Sequence, residues 1–244
     1  MKALNTRRYS ETEFLTSTPA DETWRVFKIM SEFVEGFETM RGLSPAVSVF
    51  GSARLPESDP MYPVCVETTE KLAKAGFAII TGGGPGAMEA ANRGARQGGA
   101  PSIGLNIELP QEQKPNPYQD VSLYFRYFFA RKVMFVKYAM AFVILPGGFG
   151  TLDEVFESLT LIQTEKVAHF PVILMGRAYW SGLIEWLRDR VVKEGKIDTH
   201  DLDLFTCTND PDEVVRLIKQ AWEDQKNGLL KNGSSKNHPV PTRS

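Results

Sequence analysis

Large apolar side chains recur every three or four positions early in the chain, at Trp24, Phe27, Met30, Phe33, Phe37 and Met40. That spacing lines one face of a helix and predicts one over 18–41, with Thr18 as its cap and Pro19 as its first helical residue. From Ala46 the pattern changes. Short apolar runs, AVSVFGS (46–52), GFAIITGGG (76–84), PSIGLNI (101–107), AMAFVILPGG (139–148), FPVILM (170–175) and a weaker DLFTC (203–207), alternate with helical patterns. The latter lie near 60–75, 86–98, 128–138, 151–165, 178–193 and 211–225. Continuous Val/Ile/Leu runs fit strands covered on both faces, and their alternation with helices predicts a parallel sheet. The expected fold is α/β: a Rossmann-like, doubly wound parallel sheet covered by helices on both faces, a single domain with an extra N-terminal helix.

The domain is expected over 18–226, after a flexible polar segment at 1–17 and before a disordered tail at 227–244. The segment PQEQKPNPYQD (110–120), with three prolines and no periodicity, reads as one long loop. Tyr124 to Tyr138 carries seven aromatics, more than one helix face of a small domain normally buries. A symmetric dimer would cover the surplus, so a homodimer or higher homo-oligomer is expected.

Composition narrows the function classes. A formal net charge of -2 over 244 residues gives no footprint for nucleic acid or an anionic membrane surface. No stretch of ~18 apolar residues occurs, and the N-terminus lacks the apolar core of a signal peptide, so a cytoplasmic location is expected. Cys65 and Cys207 form no CxxC, and His169, His200 and His238 are scattered, so reduced thiols and no metal site are expected.

Two of the apolar runs end in glycine-rich turns that open into helices, AIITGGGPGAMEAANRGA and FVILPGGFGTLDEVFES. Glycines let a backbone approach a ligand, and the amides of a following helix N-terminus point at an anion. Two such loops in one sheet suggest two sides of one nucleotide-sized cleft, although each alone could be a tight strand-to-helix turn. The first loop also satisfies G-x-G-x-x-A through Gly82, Gly84 and Ala87, with Glu108 downstream at about the distance of a ribose-binding acid. Thr151 and Glu154 fit a capping box as well as a ligand site.

PGGFGTLDE at 146–154 resembles the PGGxGTxxE signature of the LOG family, the cytokinin-activating nucleoside 5'-monophosphate phosphoribohydrolases. Arg131-Lys132 in FFARKVMF is similar to that family's Arg-Lys pair one helix upstream, and GGGPGAME at 82–89 to its glycine turn after the second strand. The likeness runs from about Val47 to Asp198. It implies hydrolysis of the N-glycosidic bond of AMP or an N6-modified AMP, with no cofactor and no metal. Carried over by position, Arg131 and Glu154 match the catalytic pair. Gly147, Gly148, Gly150 and Thr151 match the phosphate loop, with Gly83 and Gly84 opposite. Lys132 and Asp153 stand beside the catalytic positions, while Glu112 and Thr160 resemble further ligand contacts. If Glu154 accepts helix-terminal amides, it stays ionised at neutral pH. Two other readings stay open: a nucleotide or cofactor carrier of the same superfamily that does not hydrolyse its ligand, and an NAD-dependent oxidoreductase built on GGGPGA. Lysine decarboxylase, a label such chains often carry, has no pyridoxal-phosphate signature here.

Overall fold

The computed structural model describes residues 19–43, 45–108 and 114–228. The expected flexible N-terminus, the Thr18 cap, Glu112 and nearly all of the expected tail lie outside the described residues.

Seven parallel strands form one sheet in the order β4-β3-β2-β1-β5-β6-β7. They are β1 (Ala46–Phe50), β2 (Ala78–Thr81), β3 (Ser102–Ile107), β4 (Val121–Phe125), β5 (Phe142–Ile144), β6 (Val172–Met175) and β7 (Phe205–Thr208). The helices are α1 (Pro19–Thr39), α2 (Met61–Lys74), α3 (Ala87–Gly98), α4 (Phe128–Tyr138), α5 (Phe149–Gln163), α6 (Arg177–Trp186) and α7 (Pro211–Lys226). A π-helical turn, Leu187–Val192, continues α6, and a 3-10 turn, Thr199–Leu204, leads into β7.

Neighbouring residues of the central strands point to opposite faces, and both faces are covered. Ile80, Phe50, Ile144 and Leu174 pack with Met134, Phe135, Val155 and Trp180 from α4, α5 and α6. Ile79, Val49, Val143 and Ile173 pack with Leu72, Ala91, Val214 and Ile218 from α2, α3 and α7. Full burial of each such aliphatic side chain stabilises by roughly 1.5–3 kcal/mol, so adjacent Ile79 and Ile80 each anchor a separate core. That is why the central strands read as unbroken apolar runs.

The strand β4 was not anticipated. It pairs with β3 at one edge of the sheet, burying Leu123 and Phe125 while Ser122 and Tyr124 face solvent. Only one face is covered there, so the segment alternates and lacks the apolar run of the other strands. The aromatic stretch from Tyr124 is thus divided between a strand and α4, and Phe125 and Phe135 are absorbed by the core. Among the described residues no helix is long and apolar enough to cross a membrane.

Candidate functional site

From β1 the chain steps outward through β2, β3 and β4, then returns to the other side of β1 with β5. This reversal opens a crevice at the carboxyl ends of β1 and β5, the place where parallel sheets bind ligands. Three turns converge on it. The amide of Ser52, after β1, donates to the carbonyl of Pro146 at 3.0 Å, and the carbonyl of Ser52 accepts from the amide of Ala87 at 3.0 Å. One residue therefore ties both glycine loops together.

The first loop is a rigid wall. The amide of Gly83 donates to Thr81 Oγ1 at 3.0 Å. Its carbonyl accepts from Asn116 Nδ2 at 3.1 Å and Gln119 Nε2 at 2.7 Å. The Gly84 carbonyl accepts from Asn116 Nδ2 at 3.0 Å. Behind them Asn92 accepts from Thr81 Oγ1 and from Asn116 Nδ2 and donates to Ser102 Oγ, all buried. Gly83 has φ +72°, and a Cβ there would run into the Asn106 amide. The Gly83 amide and the Gly83 and Gly84 carbonyls are engaged inside the protein, so Gly83 shapes the wall with no backbone donor left for a ligand. The same loop bears on the dinucleotide pattern: Glu108, its ribose candidate, is engaged with Arg126 Nε at 3.2 Å.

The second loop is open. Gly148 caps α5, and at Gly148 and Gly150 a Cβ would meet nothing within 4 Å. The amides of Phe149 and Gly150 precede the first helical hydrogen bonds, those from Thr151 and Leu152 to the Gly148 carbonyl, and face the crevice end of the helix. Gly147 is different: a Cβ there would collide with Thr151 Oγ1 and sit 3.0 Å from the Ser52 amide. Tyr179, at the start of α6, donates its hydroxyl to the Gly147 carbonyl at 2.5 Å and holds the loop from outside.

Thr151 and Glu154 do not form a capping box, because the helix begins at Phe149 and both lie inside it. Glu154 is only 5% exposed, and its Oε2 is buried with no hydrogen-bond partner. Burial lifts its carboxyl to about 7, with Lys132 and Arg131 pulling downward and Glu157 and Asp153 pushing upward. The expected ionised, amide-bound carboxylate is replaced by one poised between its two forms, because the free amides belong to the preceding turn.

Arg131 reaches the crevice from α4. Its guanidinium lies 5.3 Å and 5.6 Å from the ring centroids of Phe128 and Phe135, and Nη1 would be 3.7 Å from a Cβ on Gly82. Burial holds its pKa below the usual arginine range, against the pull of Glu154 and Asp153. Its Nε, like Glu154 Oε2, is buried without a partner. Two polar atoms of opposite charge are thus left unsatisfied, an arrangement that costs stability unless a ligand completes it.

Lys132, next along α4, bridges Asp153 and Glu157 on α5 at 2.7 Å each. Glu157 escaped the sequence reading, although it stands four residues after Asp153 on the same helix face. Thr160 is exposed, with its hydroxyl donating to the Phe156 carbonyl at 2.7 Å. At roughly 9 Å along the helix from Glu154 it is not brought into the crevice. Asn116, Gln119 and Tyr179 were also missed. They come from irregular segments or a remote helix, and no local spacing announces them.

Residues 88–218 match a family profile described as "Possible lysine decarboxylase". The cytokinin riboside 5'-monophosphate phosphoribohydrolase LOG of Oryza sativa subsp. japonica is 33% identical over 169 residues, 68% of this chain and 69% of that protein. The chain belongs to the LOG family. Its LOG relatives also include LOG3 of Arabidopsis thaliana, a phosphoribohydrolase of the same description, 24% identical over 77% of this chain and 87% of that one. Among solved structures, the molybdenum cofactor binding protein of Rippkaea orientalis has a TM-score of 0.54 at 23% identity, covering 72% of this chain and 96% of that one. The Chlamydomonas reinhardtii molybdenum cofactor carrier protein has a TM-score of 0.53 at 20% identity, covering 73% of this chain and 98% of that one. Both likenesses show the fold.

The decarboxylase wording does not suit this LOG-family site. A pyridoxal cofactor needs a lysine that can become neutral to form its Schiff base. Burial alone would favour a neutral Lys132, but hydrogen bonds to Asp153 and Glu157 outweigh it and raise its pKa above the usual lysine range. The residues present do not fit that group.

The N-terminal helix supports the site from behind. Glu32 on α1 accepts the backbone amides of Arg126 at 3.0 Å and Tyr127 at 3.4 Å, just before α4 begins. At Gly36 a Cβ would lie 2.8 Å from Met134 Sδ of α4, so the two helices meet closely. Glu32→Ala removes this borrowed cap from the helix that carries Arg131. A loss of about 1 kcal/mol is expected, lowering Tm by roughly 2–4 °C, while Glu32→Gln keeps an acceptor and most of the stability. Thermal denaturation of the two variants checks it, and equal losses would show that the cap contributes nothing.

Proposed function

We propose that this protein hydrolyses the N-glycosidic bond of AMP or an N6-modified AMP, releasing the free base and ribose 5-phosphate. The observation that carries the reading is the pair of unsatisfied buried atoms, Arg131 Nε and Glu154 Oε2, beside an open glycine turn at a helix N-terminus. The amides of Phe149 and Gly150 suit a phosphate, and Arg131 supplies a permanent charge to clamp it or to orient Glu154.

In the reaction the C1'–N9 bond breaks with its electrons going to the base, and water oxygen bonds to C1'. The water gives up one proton and the departing base gains one. The sugar passes through an oxocarbenium-like state, which the Glu154 carboxylate stabilises while accepting the proton of water. Lys132, held between Asp153 and Glu157, offsets part of the repulsion that those carboxylates exert on Glu154. The exposed aromatic Phe128 of α4 lies beside Arg131 at this end of the crevice, which fits a site completed by a second copy of the chain in a homo-oligomer.

This role fixes a pH dependence. Glu154 acts as its carboxylate, and burial places its titration near 7. The expected kcat/KM therefore rises with pH through a midpoint near 7 and falls tenfold per unit well below it. Rates with AMP from pH 5 to 9 measure this; a midpoint near 4.5 would remove Glu154 from the free-enzyme profile.

The second reading, a carrier that binds a nucleotide-bearing cofactor without cutting it, is favoured by the likeness to molybdenum cofactor carriers over nearly their whole length. Incubation with AMP and with isopentenyladenosine monophosphate separates the two, with free base followed by chromatography. Base released by wild type but not by Glu154→Gln supports the hydrolase. Binding of AMP with no base from either substrate supports the carrier.

A further inference from the structure

We propose that Tyr179 is a positioning residue that turns the amide of Gly148 into the crevice as a third donor to the phosphate; the inference rests on the phosphate reading above. The loop is gripped peptide by peptide. The Pro146 carbonyl accepts from the Ser52 amide at 3.0 Å, and the next carbonyl, that of Gly147, accepts from the Tyr179 hydroxyl at 2.5 Å. The Gly147 carbonyl shares its peptide plane with the Gly148 amide, and in a trans peptide the two point in opposite directions. Tyr179 stands on α6, which follows β6, the neighbour of β5 on the side away from β1. A carbonyl drawn toward α6 therefore sends the Gly148 N–H toward β1, across the crevice. Among the described residues that amide has no acceptor, and a Cβ on Gly148 would meet nothing within 4 Å.

Tyr179 is held in one position. Its ring stands edge-on to Trp180, with 4.8 Å between centroids and 88° between planes. Trp180 is fully buried, and its indole N–H donates to the Met175 carbonyl at 2.9 Å. The start of α6 is fixed on both sides: the Arg177 amide donates to Asn209 Oδ1 at 2.7 Å, and a Cβ on Gly176 would lie 3.2 Å from Pro146 Cγ. A half-exposed tyrosine ordinarily gives its hydroxyl to water; this one gives it to a loop carbonyl. That bond also polarises the peptide, so the Gly148 N–H donates more strongly. With Phe149 and Gly150 it makes three consecutive amides, a concavity suited to the oxygens of a phosphate. Base and ribose make no use of it, so its loss should be felt through the phosphate alone.

Tyr179→Phe tests this, since it keeps the ring on Trp180 and removes only the hydroxyl. The Glu154→Gln background should bind AMP without cutting it. There, adding Tyr179→Phe is expected to weaken AMP binding about five- to tenfold and adenosine binding less than about twofold, measured by calorimetry. In amide NMR spectra of the Glu154→Gln chain, AMP but not adenosine should move the Gly148 amide proton downfield, and Tyr179→Phe should diminish that movement. Unchanged AMP affinity, equal weakening of both ligands, or a Gly148 resonance that AMP leaves in place each overturn the proposal. A Glu154→Gln chain that binds AMP no tighter than adenosine overturns the phosphate reading itself, and this inference with it.

Discussion

Glu154→Gln is expected to be inactive and yet harder to unfold than wild type at pH 8. Loss of a positioned acid–base group costs about 10²- to 10⁴-fold in rate, which puts the release of base from AMP below ready detection. The stability gain follows from linkage. The folded-state pKa of Glu154 is raised from 4.5 to about 7, so the folded protein holds this proton over a pH range where the unfolded chain has lost it. Stability contributed by the protonated form is full below about 4.5 and declines as pH rises through 7. Above 7 the buried charge costs up to about 3 kcal/mol, which neutral glutamine avoids. A rise in Tm of roughly 6–12 °C at pH 8, shrinking toward zero at pH 4.5, is therefore expected. Melting curves at several pH values, alongside the base-release assay, measure both halves. An inactive variant with a pH-independent Tm difference would leave Glu154 essential while refuting the buried, titrating carboxyl described here.

Gly147→Ala is expected to reduce kcat/KM by about 10²-fold although only a methyl group is added. Its Cβ would collide with Thr151 Oγ1 and approach the Ser52 amide, so the turn must move away from β1. That motion stretches the Ser52-to-Pro146 hydrogen bond and the Tyr179-to-Gly147 bond, the two ties that aim the loop. A displacement near 1 Å is enough for such a loss when phosphate and carboxyl must be aligned. Gly150→Ala is the matched control: a Cβ there meets nothing within 4 Å, so the fold should tolerate it, and any loss should appear in KM for the nucleotide. Steady-state kinetics on both variants distinguish the cases, and a Gly147→Ala enzyme with wild-type kcat/KM would mean that this loop does not hold the substrate.

The sequence exposed the layered fold because five of the seven strands announce themselves as apolar runs buried from both sides, and β7, at the far edge, as a weaker run that is only half-buried. β4 hid because an edge strand covered on one face alternates, and its aromatics ran on into those of α4. Both glycine turns were visible, but their different characters were not. The first loop is fixed because its Gly83 amide is bonded to Thr81 Oγ1 and its Gly83 and Gly84 carbonyls are held by Asn116 and Gln119, which come from a loop without periodicity. The pairing of Arg131 with Glu154 was reached through family resemblance; spacing alone allowed a surface cation and a capping box. The helix start decided the latter, moving from Thr151 to Phe149 and leaving Glu154 one turn too deep to be a cap.

The placement of β1 has a consequence for how the chain matures. On one side β1 pairs with β2, which follows it closely, but on the other it waits for β5, with three strands and three helices made in between. Until Phe142–Ile144 leave the ribosome, the strand destined for the middle of the sheet is an edge. The crevice then has one wall, the amides of α5 do not exist, and there is nowhere for a phosphate to sit. On the proposed function, nucleotide affinity would arise only once β5 and α5 have been made, so that a bound ligand would report, on a growing chain, the moment the two halves of the sheet have joined.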